Sequence, residues 1–91
     1  MAGRRIRSSR EFDRQVEALG GYEKLDLVLD PVVDGLYTDP YGYTVIQDDW
    51  MPLCRYARTV PVDDLPAFVV LFVIEEDGGV ELQEIWPDED Y

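Results

Sequence analysis

The sequence predicts an α+β fold: two N-terminal helices packed on a small antiparallel sheet, which combines a short first strand with a C-terminal three-stranded meander. Three observations predict it. Apolar residues recur at helical spacing between Phe12 and Leu36. The run AFVVLFVI, residues 67–74, is apolar at every position, as suits a central strand covered on both faces. Between that run and VELQEIW lies Glu75-Glu76-Asp77-Gly78-Gly79, whose Asp-Gly pair favours a tight hairpin.

Each element follows from local chemistry. Arg4–Arg7 around Ile6 suggest a short strand. Ser8 stands three residues before Glu11, the spacing of a capping box, so Ser8 is expected to open the first helix. Phe12, Val16 and Leu19 form its apolar stripe, and Gly20-Gly21 ends it because glycine takes the left-handed backbone readily. A second helix begins near Tyr22, with Leu25, Val28, Leu29, Val32, Val33 and Leu36 facing inward. Pro31 after Asp30 fits the start of a fresh helical turn, which predicts a kink or two short helices. Asp39-Pro40-Tyr41-Gly42 is turn chemistry.

Tyr43–Ile46 is either a short strand or an extended linker. In the strand Leu53–Val60, Leu53, Arg55, Ala57 and Thr59 point one way, and Cys54, Tyr56, Arg58 and Val60 the other. Pro61 and Pro66 bound a loop, and Val80–Trp86 is the last strand. Two helices cover one face of such a sheet. The second face of strand 67–74 therefore needs another cover, either the C-terminal tail or a partner protein.

A length of 91 residues suits one domain, 1–91, and 46% apolar content suffices for a packed core. The longest apolar run, Ala67–Ile74, is strand-sized, so no membrane association is expected. MAGRRIRSS has no apolar stretch after its arginines and is not expected to act as a secretory signal. The single cysteine, Cys54, excludes an internal disulfide and agrees with a reducing cytoplasm; it reads as a small core residue. The absence of histidine removes any His-based general base, Ser–His or Cys–His pair, or His-ligated metal. No phosphate-binding glycine loop occurs, and the acidic clusters lack calcium-loop spacing. No cofactor or metal is expected.

The net charge of −12 is unevenly spread. Residues 1–14 hold five arginines against Glu11 and Asp13, while residues 15–91 hold Lys24, Arg55 and Arg58 against eighteen acids. Such a body repels free nucleic acid, so no free DNA binding is expected; it favours a basic partner. A generally acidic proteome gives the same composition. Arg4, Arg5, Arg7, Arg10 and Arg14 either contact RNA or pair with the acidic remainder. Glu75–Asp77 and Asp88–Asp90 are solvated turn and tail charges, or a docking surface or phosphate mimic. Trp50 and Trp86 belong to the core or to a partner-facing surface.

Three stretches resemble the RelE/ParE superfamily of toxin-antitoxin toxins, in its RelE and YafQ-like branch. IRSSREFDRQVEALG is similar to that family's first strand, Ser/Thr turn and first helix. GYEKLDLVLDPVVDGLYTDPYG resembles its second helix running into a proline turn. LCRYART…AFVVLFVIEEDGGVELQEIWPDEDY resembles its meander, an Arg-bearing strand before an apolar one and an "l-x-i-w" strand. The resemblance implies a small cytoplasmic toxin, neutralised by a cognate antitoxin, that cuts mRNA on the ribosome without a metal. It also implies catalytic roles for Arg55 and Arg58, where the family's strand arginines fall, and for Tyr91, near its C-terminal aromatic. The chain departs from the pattern after Trp86, where Pro87-Asp88-Glu89-Asp90 stands in place of histidine and arginines. Three acids there oppose phosphate binding and the stabilisation of a developing negative charge. The rival expectation is a non-catalytic acidic module that binds a basic protein, or an inhibitor that imitates nucleic acid.

Overall fold

The computed structural model describes residues 4–46 and 54–88. Strand β1 (Ile6–Ser8) leads into helix α1 (Arg10–Ala18) and helix α2 (Tyr22–Thr38). A single 3-10 turn, Pro40–Gly42, precedes β2 (Thr44–Val45), β3 (Cys54–Arg58), β4 (Phe68–Ile74) and β5 (Val80–Pro87). The five strands form one mixed sheet in the order β1-β5-β4-β3-β2. The α+β class matches the expectation, with two additions. Residues 43–46 do supply an edge strand, and β1 joins the far side of the meander parallel to β5, with Ile6 opposite Val80.

Helix α1 starts one residue later than the capping-box spacing suggests. Ser8 still belongs to β1, opposite Leu82, so the first free turn falls to Ser9. The Ser9 hydroxyl accepts from Phe12 N at 3.0 Å and donates to the Gln83 carbonyl at 3.0 Å. Ser8 instead donates to Asp13 Oδ1 at 2.6 Å, and Glu11 turns to Arg14 and Gln15.

Helix α2 runs through Pro31 as one helix rather than as two short ones. The reason lies in its faces. Pro31 and Leu27, one turn earlier, are both exposed, so the unpaired carbonyl can meet water. Leu25, Val28, Leu29, Val32 and Leu36 meanwhile bury one continuous stripe; Val33 is half-buried. Gly35 lies where any Cβ would meet the Tyr43 hydroxyl, which brings the chain after α2 close to its last turn.

The core lies between the helices and one sheet face. Phe12, Val16, Leu25 and Leu36 pack against Ala57, Phe68, Val70, Phe72, Val80 and Ile85. The hairpin after β4 closes as its Asp-Gly pair predicts. Glu75 N donates to Gly79 O at 2.7 Å, and Gly78 adopts φ 86°, which only glycine takes without strain.

Strand β5 contains a bulge. Leu71 pairs with Glu84 but Phe72 pairs with Leu82, leaving Gln83 as an extra residue. Val80 and Leu82 thus face the helices before the bulge, and Ile85 faces them after it. Without it, strict alternation would turn Glu84 and Trp86 into the core. Beyond the end of β1, helix α1 supplies the outer edge of β5. The Gln15 side-chain oxygen accepts from Ile85 N at 2.7 Å, beside the Ser9–Gln83 bond.

Candidate functional site

The sheet face turned away from the helices carries alternate residues of each strand: Tyr56 and Arg58 from β3, Val69 and Leu71 from β4, Glu84 and Trp86 from β5. Tyr56 stands opposite Leu71, Arg58 opposite Val69 and Trp86 opposite Val69 on its other side. Together with Ile46 they border a concavity of about 640 Å³. Val69 and Leu71 form its buried floor, and Trp86 is 41% exposed. No helix residue lines it. The apolar second face expected from AFVVLFVI is therefore present, with its aromatic wall placed there by the bulge at Gln83.

One ion pair stands in the wall. Arg58 Nε lies 3.0 Å from Asp88 Oδ2; the arginine side chain is 54% exposed and the carboxylate 5%. The Arg58 guanidinium carbon also lies 5.8 Å from the Tyr56 ring centroid, within cation–π range. Asp88 is fixed to the sheet by its own backbone, its N–H donating to Ala67 O at 2.9 Å. Cys54, on the same face, is buried. Burial first, then the negative charge of Glu84, pushes its thiol pKa up, so it stays protonated at neutral pH.

Arg55 goes elsewhere. It pairs opposite Phe72 on the helix side, and its guanidinium donates to the carbonyls of Tyr41 at 3.2 Å and Tyr43 at 2.8 Å. Arg4 and Arg55 both lie near the Tyr41 ring, at 6.0 and 5.7 Å. Arg55 and Arg58 thus occupy opposite sheet faces, as three-residue spacing on a strand requires, and are not brought together. Tyr91 and Trp50 lie outside the described residues, as do Leu53, Glu89 and Asp90.

Three of the five N-terminal arginines, Arg5, Arg7 and Arg14, pair with acids of the chain. Arg5 meets Asp77 at 2.9 Å, Arg7 meets Glu75 at 2.6 Å and Glu81 at 3.3 Å, and Arg14 pairs with Glu11. Arg4 donates to the Gly78 carbonyl at 2.5 Å, next to the same hairpin. The contacts of Arg4, Arg5 and Arg7 tie β1 and the residues before it to the β4–β5 turn and the start of β5. Among the described residues no group of acids, cysteine or histidine could hold a metal ion.

Comparison with protein families, with curated proteins and with solved structures gives no match. The RelE/ParE resemblance therefore rests on the three sequence stretches alone. Sequence reasoning reached Arg58 and Trp86 but passed over Tyr56 and the paired role of Asp88. Tyr56 was visible as the neighbour of Arg55 on the opposite strand face. The Arg58–Asp88 pair spans β3 and the end of β5, and nothing local in the sequence announces it.

Proposed function

We propose that this chain is a non-catalytic interaction module that binds a basic protein partner through the sheet face opposite the helices. The observation that carries the reading is the concavity floored by Val69 and Leu71 and walled by Tyr56 and Trp86, on a chain of net charge −12. Aromatic residues at the centre of an apolar patch are the usual anchors of protein recognition. The acidic surroundings select cationic partners and speed their encounter. The two arginines offered as catalytic groups have intramolecular partners and face opposite ways, which argues against a joint role in phosphate chemistry.

Calorimetric titration against matched basic and acidic amphipathic peptides tests the reading. Basic peptides should bind and acidic ones should not, and Trp86→Ser should abolish binding while leaving the thermal melt nearly unchanged. Equal binding of both peptide classes, or none of either, would sink it.

A second reading, a translation-directed toxin of the RelE/ParE type with a cognate antitoxin, rests on the three resembling stretches, and the element order is compatible with it. A strand, two helices and a meander follow in the sequence of the three resembling stretches. Induced expression in bacteria separates the two. A toxin should halt protein synthesis, with Arg55→Ala and Arg58→Ala each relieving the arrest; unimpaired synthesis at high soluble expression counts against it.

A further inference from the structure

We propose that Arg58 is an internal occupant of a cation site formed by Tyr56, Trp86 and Asp88, and that a partner's arginine enters this site by displacing it. The inference rests on the interaction reading above and names the chemistry at its centre.

The argument begins with Asp88. A carboxylate withdrawn from water is stable only beside a cation or several donors. Arg58 provides that cation at 3.0 Å, yet more than half of its own side chain stays in solvent while the carboxylate is 5% exposed. The pair is lopsided: the acid is fixed in the wall and the base reaches it from outside. The acid is also the better anchored, since its backbone N–H is bonded to Ala67 O in the sheet.

The same guanidinium lies over the Tyr56 ring. Arg58 therefore makes the two contacts that a visiting guanidinium would seek, a carboxylate and an aromatic face. What Arg58 leaves open is the rim, since Val69 and Leu71 are already buried while Trp86 and Pro87 are exposed. Val69 and Leu71, and the exposed half of Trp86, line about 640 Å³ that a partner segment can fill. A segment with an arginine beside apolar side chains satisfies Asp88 and covers Trp86 and Pro87 together, whereas Arg58 does only the first. That difference drives the exchange. The partner's chemistry follows: an arginine flanked by apolar residues, which the chain's net charge of −12 attracts.

This assignment predicts an unusual sign. Removing an arginine from a binding face ordinarily weakens binding, but here it removes a competitor. We would titrate the labelled chain by NMR with a short synthetic peptide alternating leucine and arginine, using a leucine–glutamate peptide as control, at neutral pH and physiological salt. Backbone shifts should concentrate at Val69, Leu71 and Trp86. Arg58→Gln should bind about fivefold tighter than the wild type, the scale of one partly exposed ion pair. Asp88→Asn should bind more weakly than either. If Arg58→Gln does not fold, Arg58→Lys serves in its place. Its ammonium lacks the planar match to ring and carboxylate, so binding should again be tighter than in the wild type.

Unchanged or weaker binding by the folded Arg58 variant, with the wild type still binding on this face, would overturn the displacement and leave the interaction reading standing. No shift on this face in either the wild type or the variant would overturn both.

Discussion

At the scale of single residues, the hydroxyl at position 9 does the capping that capping-box spacing assigns to position 8. Ser9 caps α1 and ties it to Gln83, whereas Ser8 sits in β1 and bonds Asp13. The two serines are adjacent and chemically identical, so only the length of β1 decides between them, and that length depends on pairing with β5. Ser9→Ala should therefore cost about 1–2 kcal/mol in urea unfolding, and Ser8→Ala less. Equal losses would contradict the cap.

Asp13 accepts from Ser8 and from Tyr22, and these bonds, Ser8's first, hold its carboxyl below the usual aspartate range. Tyr22 is pushed up to about 12, by burial first and then by its bond to Asp13. The signs are opposite. The Asp13 contribution is present above the unfolded aspartate value and is lost as pH falls through the depressed one. The Tyr22 contribution is complete below pH 10.0 and is lost as pH rises toward about 12. Stability measured against pH should thus fall at both extremes, with Asp13→Asn flattening the acid limb and Tyr22→Phe the alkaline one.

At the scale of elements, the most consequential irregularity is the bulge in β5. The sequence VELQEIW reads as simple alternation, which would make Val80, Leu82, Glu84 and Trp86 one face. The extra residue at Gln83 breaks the parity, so Glu84 leaves the core and Ile85 enters it. The signal was present in the residues themselves, because alternation through Glu84 would bury a charge. Deleting Gln83 should therefore give a regular strand with the same facing, Val80, Leu82 and Ile85 inward and Glu84 and Trp86 outward. The cooperative transition should survive, with a loss of about 1 kcal/mol in urea unfolding for the missing Ser9–Gln83 bond. Its disappearance would contradict this register.

Helix α2 gives the reverse lesson. Its apolar stripe was legible from end to end, but Pro31 suggested a break that the exposed position of its lost hydrogen bond does not require. Pro31→Ala should stabilise the chain by about 1–2 kcal/mol in denaturant unfolding, less than the full helix-interior penalty because proline also restricts the unfolded chain. Destabilisation would show that the proline is needed where it stands, beside Leu27 and Val60 at the smaller hollow.

At the scale of the whole molecule, composition and element order were readable, while the sheet order was not. The pairing of β1 with β5 joins segments more than seventy residues apart and leaves no periodic trace in either. The candidate site was legible in part for the same reason. The apolar second face followed from AFVVLFVI, but the meeting of Arg58 with Asp88 depends on register across two strands. Charge acts at this scale too. Added salt weakens the exposed pairs that hold β1, each worth about 1 kcal/mol or less, but it also screens the self-repulsion of a chain of net charge −12. The second effect spans the whole body and should win, so the thermal midpoint should rise with sodium chloride. A falling midpoint would show that the β1 pairs matter more.

The parallel seam between the first strand and the last also sets an order in time. A chain emerging from the ribosome presents Ile6–Ser8 long before Val80–Leu82 exists to receive it. The helices can form early, but their apolar stripes and the edge of β1 must wait for β5. The domain therefore closes late, like a clasp whose second half is made last. Nascent chains stalled before the hairpin at Asp77-Gly78 should remain open to protease where the released protein resists it.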